Sequence, residues 1–112
     1  MTDIDVVLLD DNDNVRWFLQ EILSLENISY KTAGNGSEGL GLIKKHKPYL
    51  AIIDVKLGTM SGLDVAKKIP NISKDTKVLF ITGYSEVIKE KIEKNMPVVD
   101  IIEKPFNIND FL

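Results

Sequence analysis

Five short runs with strand character recur along the chain, at Ile4–Leu9, Ile28–Thr32, Tyr49–Ile53, Val78–Ile81 and Val98–Ile102. All but the second are dominated by apolar residues, and none is long enough to be a helix of ordinary length. A continuous apolar run of this size reads as a strand buried on both faces. Between the runs the apolar residues switch to helical spacing. Val15, Phe18, Leu19, Ile22, Leu23 and Leu25 make one stripe, Leu40, Leu42 and Ile43 a second, Leu63, Val65, Ala66 and Ile69 a third, and Val87, Ile88 and Ile92 a fourth. Strand and helix thus alternate, which requires parallel strands with helices packed on both faces of one sheet. Right-handed crossovers reduce the possible topologies to a few.

Local signals set the element boundaries. Asp13 or Asn12 is suited to cap the first helix and Ser37 the second. Lys44, Lys45, His46 and Lys47 place cations at the second helix's C-terminus, where Pro48 stops it. The stretch from Gly58 to Gly62 reads as a loop, and Pro70 as the end of the third helix. Ser85 can cap the fourth. Asn107–Leu112 reads as the opening of a last, truncated helix. Trp17 lies one step off the first stripe. It is expected at the rim of the core, with a docking patch shared with Arg16 as the alternative. His46 is read as a solvent-facing residue.

A chain of 112 residues fits one domain. With 44% hydrophobic and 28% charged residues it belongs among folded globular chains. The net charge of −3 gives no basic excess for nucleic-acid binding. The absence of cysteine removes disulfides, thiolate metal sites and thiol catalysis, and a single histidine argues against a histidine-rich metal site. Met1-Thr2-Asp3-Ile4-Asp5 lacks the basic start of a secretory signal, and no apolar run approaches the ~20 residues of a membrane span. These features imply a cytoplasmic protein without a membrane partner.

The chemistry lies at the ends of the runs. Asp10 and Asp11 follow the first, Asp54 the third, Thr82 and Gly83 the fourth, and Lys104 the fifth. Parallel strands bring all these ends to one edge, where open α/β sheets place their ligands. Three carboxylates brought together repel one another and call for a counter-charge. With oxygen donors alone, Mg²⁺ is the favoured cation, and it commonly completes its shell with a phosphate oxygen. A hydroxyl and an ammonium beside it suit the remaining phosphoryl oxygens. One carboxylate is then left as the attacking group, and aspartate can form an acyl phosphate.

Together, Asp10-Asp11, Asp54, the following loop Asp54 to Gly62, Thr82 and Lys104-Pro105-Phe106 resemble the signature of two-component response regulator receiver domains, the CheY-like family. The resemblance spans essentially the whole chain, so residues 1–112 are expected to form a single receiver domain. It implies the flavodoxin-like doubly wound sheet of five parallel strands in the order 2-1-3-4-5, with the last helix truncated here. Position by position, Asp54 resembles the phosphoacceptor. Asp11, Asp54 and the backbone carbonyl of Lys56 resemble the direct Mg²⁺ ligands, with Asp10 acting mostly through metal-bound water. Thr82 and Lys104 resemble the phosphoryl-binding pair, and Pro105 the proline after a cis peptide that aims the lysine.

The resemblance further implies a sensor histidine kinase or histidine phosphotransfer protein as donor and an output domain or protein as reader. It implies no enzyme activity beyond self-phosphorylation and self-dephosphorylation. The readout would be the surface of the fourth helix, fifth strand and last helix. Two departures and two distinctive positions matter. Gly58 stands where proline is usual, and Ile101 where the family often rotates an aromatic ring. Lys56 and Tyr84 flank the acceptor and are expected to lengthen the life of its phosphate; Lys56 also resembles phosphorelay intermediates of the sporulation type.

Two other functions fit parts of the pattern. Asp11-Asn12-Asp13-Asn14-Val15 matches the nucleophile motif of haloacid-dehalogenase-like phosphatases, with Asp11 as nucleophile and Asp13 as general acid, but too little chain follows Lys104 for that family's last acids. A degenerate receiver acting only as an interaction module is the other. A calcium loop at 10–16 fails for want of a glycine at the sharp turn and a distal glutamate.

Overall fold

A computed structural model of the chain describes residues 4–58, 60–83, 89–92 and 96–103. The elements run β1 (Val6–Leu9), α1 (Asp13–Leu25), β2 (Tyr30–Ala33), α2 (Gly36–His46), β3 (Leu50–Asp54), β4 (Lys56–Leu57), β5 (Met60–Ser61), α3 (Gly62–Ile72), β6 (Lys77–Thr82) and β7 (Val98–Glu103). The main sheet has five strands in the order β2-β1-β3-β6-β7, every neighbouring pair parallel. Counted without the two short strands, this is the expected 2-1-3-4-5.

Alternation along the buried strands sends side chains to two cores. Val7, Leu9, Ala51, Ile53, Val78 and Phe80 meet Ile43 of α2 and Val65, Ala66 and Ile69 of α3. Val6, Leu8, Ile52 and Ile81 meet Leu19, Ile22 and Leu23 of α1. On this second face an apolar groove of about 210 Å³ runs beside α1, lined by Leu19, Ile22, Leu23, Leu79 and Ile102 among others. No helix among the described residues is long and apolar enough to cross a membrane.

Several boundaries differ from the sequence reading. β1 begins at Val6 and β2 at Tyr30, because each starts only where ladder pairing starts, at Val6↔Tyr30. Asn35, not Ser37, caps α2, its side chain accepting from the Glu38 N–H. Pro70 lies inside α3, which continues to Ile72. A proline there forfeits one helical hydrogen bond, and Ser73 N still reaches Ile69 O at 2.8 Å. The Gly58–Gly62 segment is not plain loop: Lys56–Leu57 and Met60–Ser61 pair antiparallel as a small hairpin. Gly58 turns it with φ +74°, a value closed to the proline usual at this position. Trp17 is 63% exposed and belongs to neither core, and Leu25, expected on the buried stripe of α1, is 72% exposed at the last residue of the helix and also belongs to neither.

One irregularity sets the fifth main strand. Val78 pairs with Val98 but Leu79 with Asp100, so Val99 is an extra, bulged residue on β7. A bulge re-phases the strand beyond it. Val98 and Ile101, three apart, therefore both pack against the core beneath α3, and Ile101 stands beside Phe80.

Candidate functional site

The ends of β1, β3 and β6 share one edge of the sheet. Leu9 pairs with Ile53, and one step further along the same register Asp10 stands beside Asp54. Asp54 pairs with Ile81, so Thr82 lies one residue beyond it on the next strand. Asp10 is fully buried, and Asp54 and Thr82 are each 5% exposed. Asp11, next along the loop, is exposed. Carboxylate oxygens of Asp10, Asp11 and Asp54 all lie within 4.8 Å of one another. The edge expected from the alternation of strands and helices thus brings together the three acids and places the hydroxyl on the adjacent strand.

Backbone amides orient two of the acids. Asn12 N donates to Asp10 Oδ1 at 2.9 Å, and Lys56 N donates to Asp54 Oδ1 at 3.0 Å. Each is a local turn closed two residues on, the habit that makes aspartate common at such corners. Asn12 then caps α1, accepting from Asn14 N and Val15 N. α1 thereby starts immediately after the acids, with Asp13 in its first turn.

Two further residues shape the edge. Gly62 N donates to Val55 O at 2.7 Å, and a Cβ on Gly62 would stand 2.5 Å from the backbone oxygen of Asp54. The sequence marks Gly62 only as the far end of a loop; its close approach to the β3 backbone is a tertiary property. Arg16 reaches back over the β1–α1 loop: Nη1 donates to the Asp10 carbonyl at 2.8 Å, and Nη2 pairs with the Asp13 carboxylate. The Asp13 pair is legible as an i,i+3 spacing; the tie to Asp10 is not.

The donor set suits a small hard cation. All three side chains offer oxygen, and one of them faces solvent, so water can complete a coordination shell. Mg²⁺, which keeps several waters and takes one or two carboxylates, fits such a set. Ile101 is half-buried against the α3-side core. Gly83 is exposed, and nothing would crowd a Cβ on it. Tyr84, Ser85, Lys104, Pro105, Phe106 and the helix expected over 107–112 lie outside the described residues.

Known proteins resemble this chain in sequence and fold. Residues 6–112 match the family model described as the response regulator receiver domain. The chain is 27% identical over 105 residues to sporulation initiation phosphotransferase F of Bacillus subtilis, covering 94% of this chain and 85% of that protein. It spans only 47% of the longer response regulator MprA of Mycobacterium, at 27% identity over 97% of this chain. Among solved structures, a CheY-like receiver domain protein of Methanospirillum hungatei superposes with a TM-score of 0.87 at 26% identity, over 96% of this chain and 86% of that one. The response regulator TrrA of Thermotoga maritima, solved in complex with Mg²⁺-BeF, gives 0.83 at 30% identity, over 96% and 92%. Fold, acid cluster and sequence similarity agree, and the chain belongs to the response regulator receiver domain family.

Proposed function

We propose that residues 1–112 act as one phosphoacceptor receiver domain, with Asp54 as the acceptor. The observation that carries this reading is the meeting of three carboxylates within 4.8 Å around a buried Asp54 whose Oδ1 is already held by the Lys56 N–H. A carboxylate oxygen of Asp54 attacks phosphorus in a phosphohistidine of a sensor kinase or phosphotransfer protein. A P–O bond forms, the P–N bond breaks, and the histidine leaves with its electron pair. Asp10, Asp11, Asp54 and the Lys56 carbonyl would hold Mg²⁺, which supplies charge neutralisation for the transferring group. Thr82, at the end of the neighbouring strand, and Lys104 would bind the remaining phosphoryl oxygens. The chain's own part is largely positioning.

The phosphoryl group adds roughly two negative charges to this edge. The readout would pass from Thr82 and Gly83 to β7, where Ile101 replaces the family's usual aromatic and repacks against Phe80 instead of rotating a ring. A downstream output domain or protein then reads that surface, in the cytoplasm, without nucleic acid or membrane contacts by this domain. The phosphatase alternative fares worse, since Asp13, its general acid, is engaged by Arg16.

Incubation with acetyl phosphate and Mg²⁺ should give an acid-labile, hydroxylamine-sensitive acyl phosphate on the wild type and none on Asp54→Asn. Beryllofluoride with Mg²⁺ should shift the resonances of Thr82 and Gly83. Turnover of a phosphate ester that depends on Asp11 and survives Asp54→Asn would overturn the assignment in favour of the phosphatase.

A further inference from the structure

The loop from Asp10 to Asp13 carries two of the three clustered acids and is closed by one side chain. Arg16 Nη1 donates to the carbonyl of Asp10 at its start, and Nη2 to the carboxylate of Asp13 at its end. The clamp is seated as well as bonded. Arg16 is only 23% exposed, whereas its partner Asp13 is 87% exposed. The guanidinium lies against Gly34, where a Cβ would come within 3.0 Å of Nη1. Gly34 follows β2, whose last residue, Ala33, accepts the Asp10 N–H at 3.2 Å. Asp10 is therefore fixed at both backbone polar groups, and Asp11 is held out at the apex of a short loop with both ends tied.

We infer that Arg16 is a positioning residue for the divalent-cation site, holding the loop in the shape that presents Asp11 beside Asp54. This rests on the metal-site reading of the three acids proposed above. A guanidinium beside a cation site is a like charge, and on electrostatics alone its removal would tighten Mg²⁺ binding. A clamp works the other way: without it the loop must be ordered when the ion binds, and affinity falls. Groups that orient metal ligands are typically worth at least tenfold in affinity, so the clamp is expected to outweigh the repulsion. Lysine should not substitute, since one ammonium cannot span two acceptors as a planar fork does.

Calorimetric titration of the intact chain with Mg²⁺ tests this without any phosphoryl donor. Arg16→Ala is expected to raise the Kd roughly tenfold. Arg16→Lys should keep most of that loss, and Asp13→Asn, which frees the other end of the clamp while leaving the guanidinium in place, should lose a smaller part. Asp13→Asn also serves if Arg16→Ala does not fold, because an unchanged Kd in that variant counts against the clamp. Asp11→Asn separates the two readings. If it abolishes binding while Arg16→Ala leaves the Kd unchanged or lower, Arg16 is not a positioning residue and the metal site stands. If Asp11→Asn binds Mg²⁺ like the wild type, the metal-site reading itself fails, and the clamp with it.

Discussion

The two ends of the sheet bury polar side chains in opposite ways. At the amino end, Ser73 and Thr76 are buried, their hydroxyls 2.5 Å apart, and Thr76 Oγ1 donates to the Pro48 carbonyl at 2.5 Å. Nearby, Lys47 Nζ donates to Ile72 O, and Lys77 N to Tyr49 O. These groups are neutral or matched, and together they tie the C-termini of α2 and α3 to the starts of β3 and β6. At the carboxyl end two of the buried polar side chains, Asp10 and Asp54, are acids of one sign, within 4.8 Å of a third, Asp11. A structural corner satisfies its polar groups from within, whereas three like charges gathered at an edge are arranged for something that arrives from outside.

If the carboxyl end is shaped by close backbone approach, filling that approach should hurt most. Gly62→Ala would set a methyl 2.5 Å from the Asp54 carbonyl oxygen and 2.8 Å from Ile53 Cγ2, neither on a side chain free to move away. Urea denaturation should show a loss of about 3 kcal/mol, the upper part of the usual range for overpacking. Gly41→Ala is the matched control. It lies within α2 with nothing inside 4 Å of a new Cβ, so it should gain stability by up to about 1 kcal/mol from helix propensity alone.

The contrast between the ends gives the next test. Thr76→Val keeps shape but strands the Pro48 carbonyl and the Ser73 hydroxyl, and should cost about 2 kcal/mol with or without Mg²⁺. Asp11→Asn should act in the opposite direction by a smaller amount. Without metal it relieves repulsion among the acids and raises the melting temperature by a few degrees. With saturating Mg²⁺ the wild type should overtake it, because only the wild type gains full binding energy. Melting curves of both variants with and without the ion check this. If Asp11→Asn destabilises the metal-free protein, the carboxyl end is a satisfied corner like the amino end, and the contrast collapses.

How much of this was legible follows from which forces decide each feature. Strand-helix alternation and the apolar stripes are local patterns, so the parallel sheet and the edge that gathers Asp10, Asp11, Asp54 and Thr82 could be read from the chain alone, whereas the strand order 2-1-3-4-5 came only with the family resemblance. The hairpin Lys56–Leu57/Met60–Ser61 could not, because two-residue strands carry no periodicity and depend on Gly58 adopting φ +74°. The bulge at Val99 left a trace, since Val98-Val99-Asp100-Ile101-Ile102 does not alternate, but only the pairing with β6 shows which residue is extra. Pro70 misled because a helix tolerates one missing hydrogen bond near its end. The reach of Arg16 to the Asp10 carbonyl depends on loop shape, which spacing does not encode.

Lys56 carries the smallest expected effect and sits where the edge meets solvent. Its amide fixes Asp54 Oδ1, a role any residue but proline could fill, while its exposed side chain leaves the hairpin beside the acceptor. The Lys56 side chain, together with Tyr84, is expected to screen the acyl phosphate from water. Lys56→Asn keeps the amide bond and removes the long cation. It should therefore leave stability and the rate of phosphorylation by acetyl phosphate nearly unchanged while speeding decay a few-fold, and Tyr84→Ala should add to it. Loss of phosphate from purified phosphoprotein in excess EDTA and in excess Mg²⁺ separates screening of water from any effect on the metal. An unchanged decay rate in both variants would mean that neither side chain plays a part in phosphate lifetime, and that the buried acids and their loop set it without them.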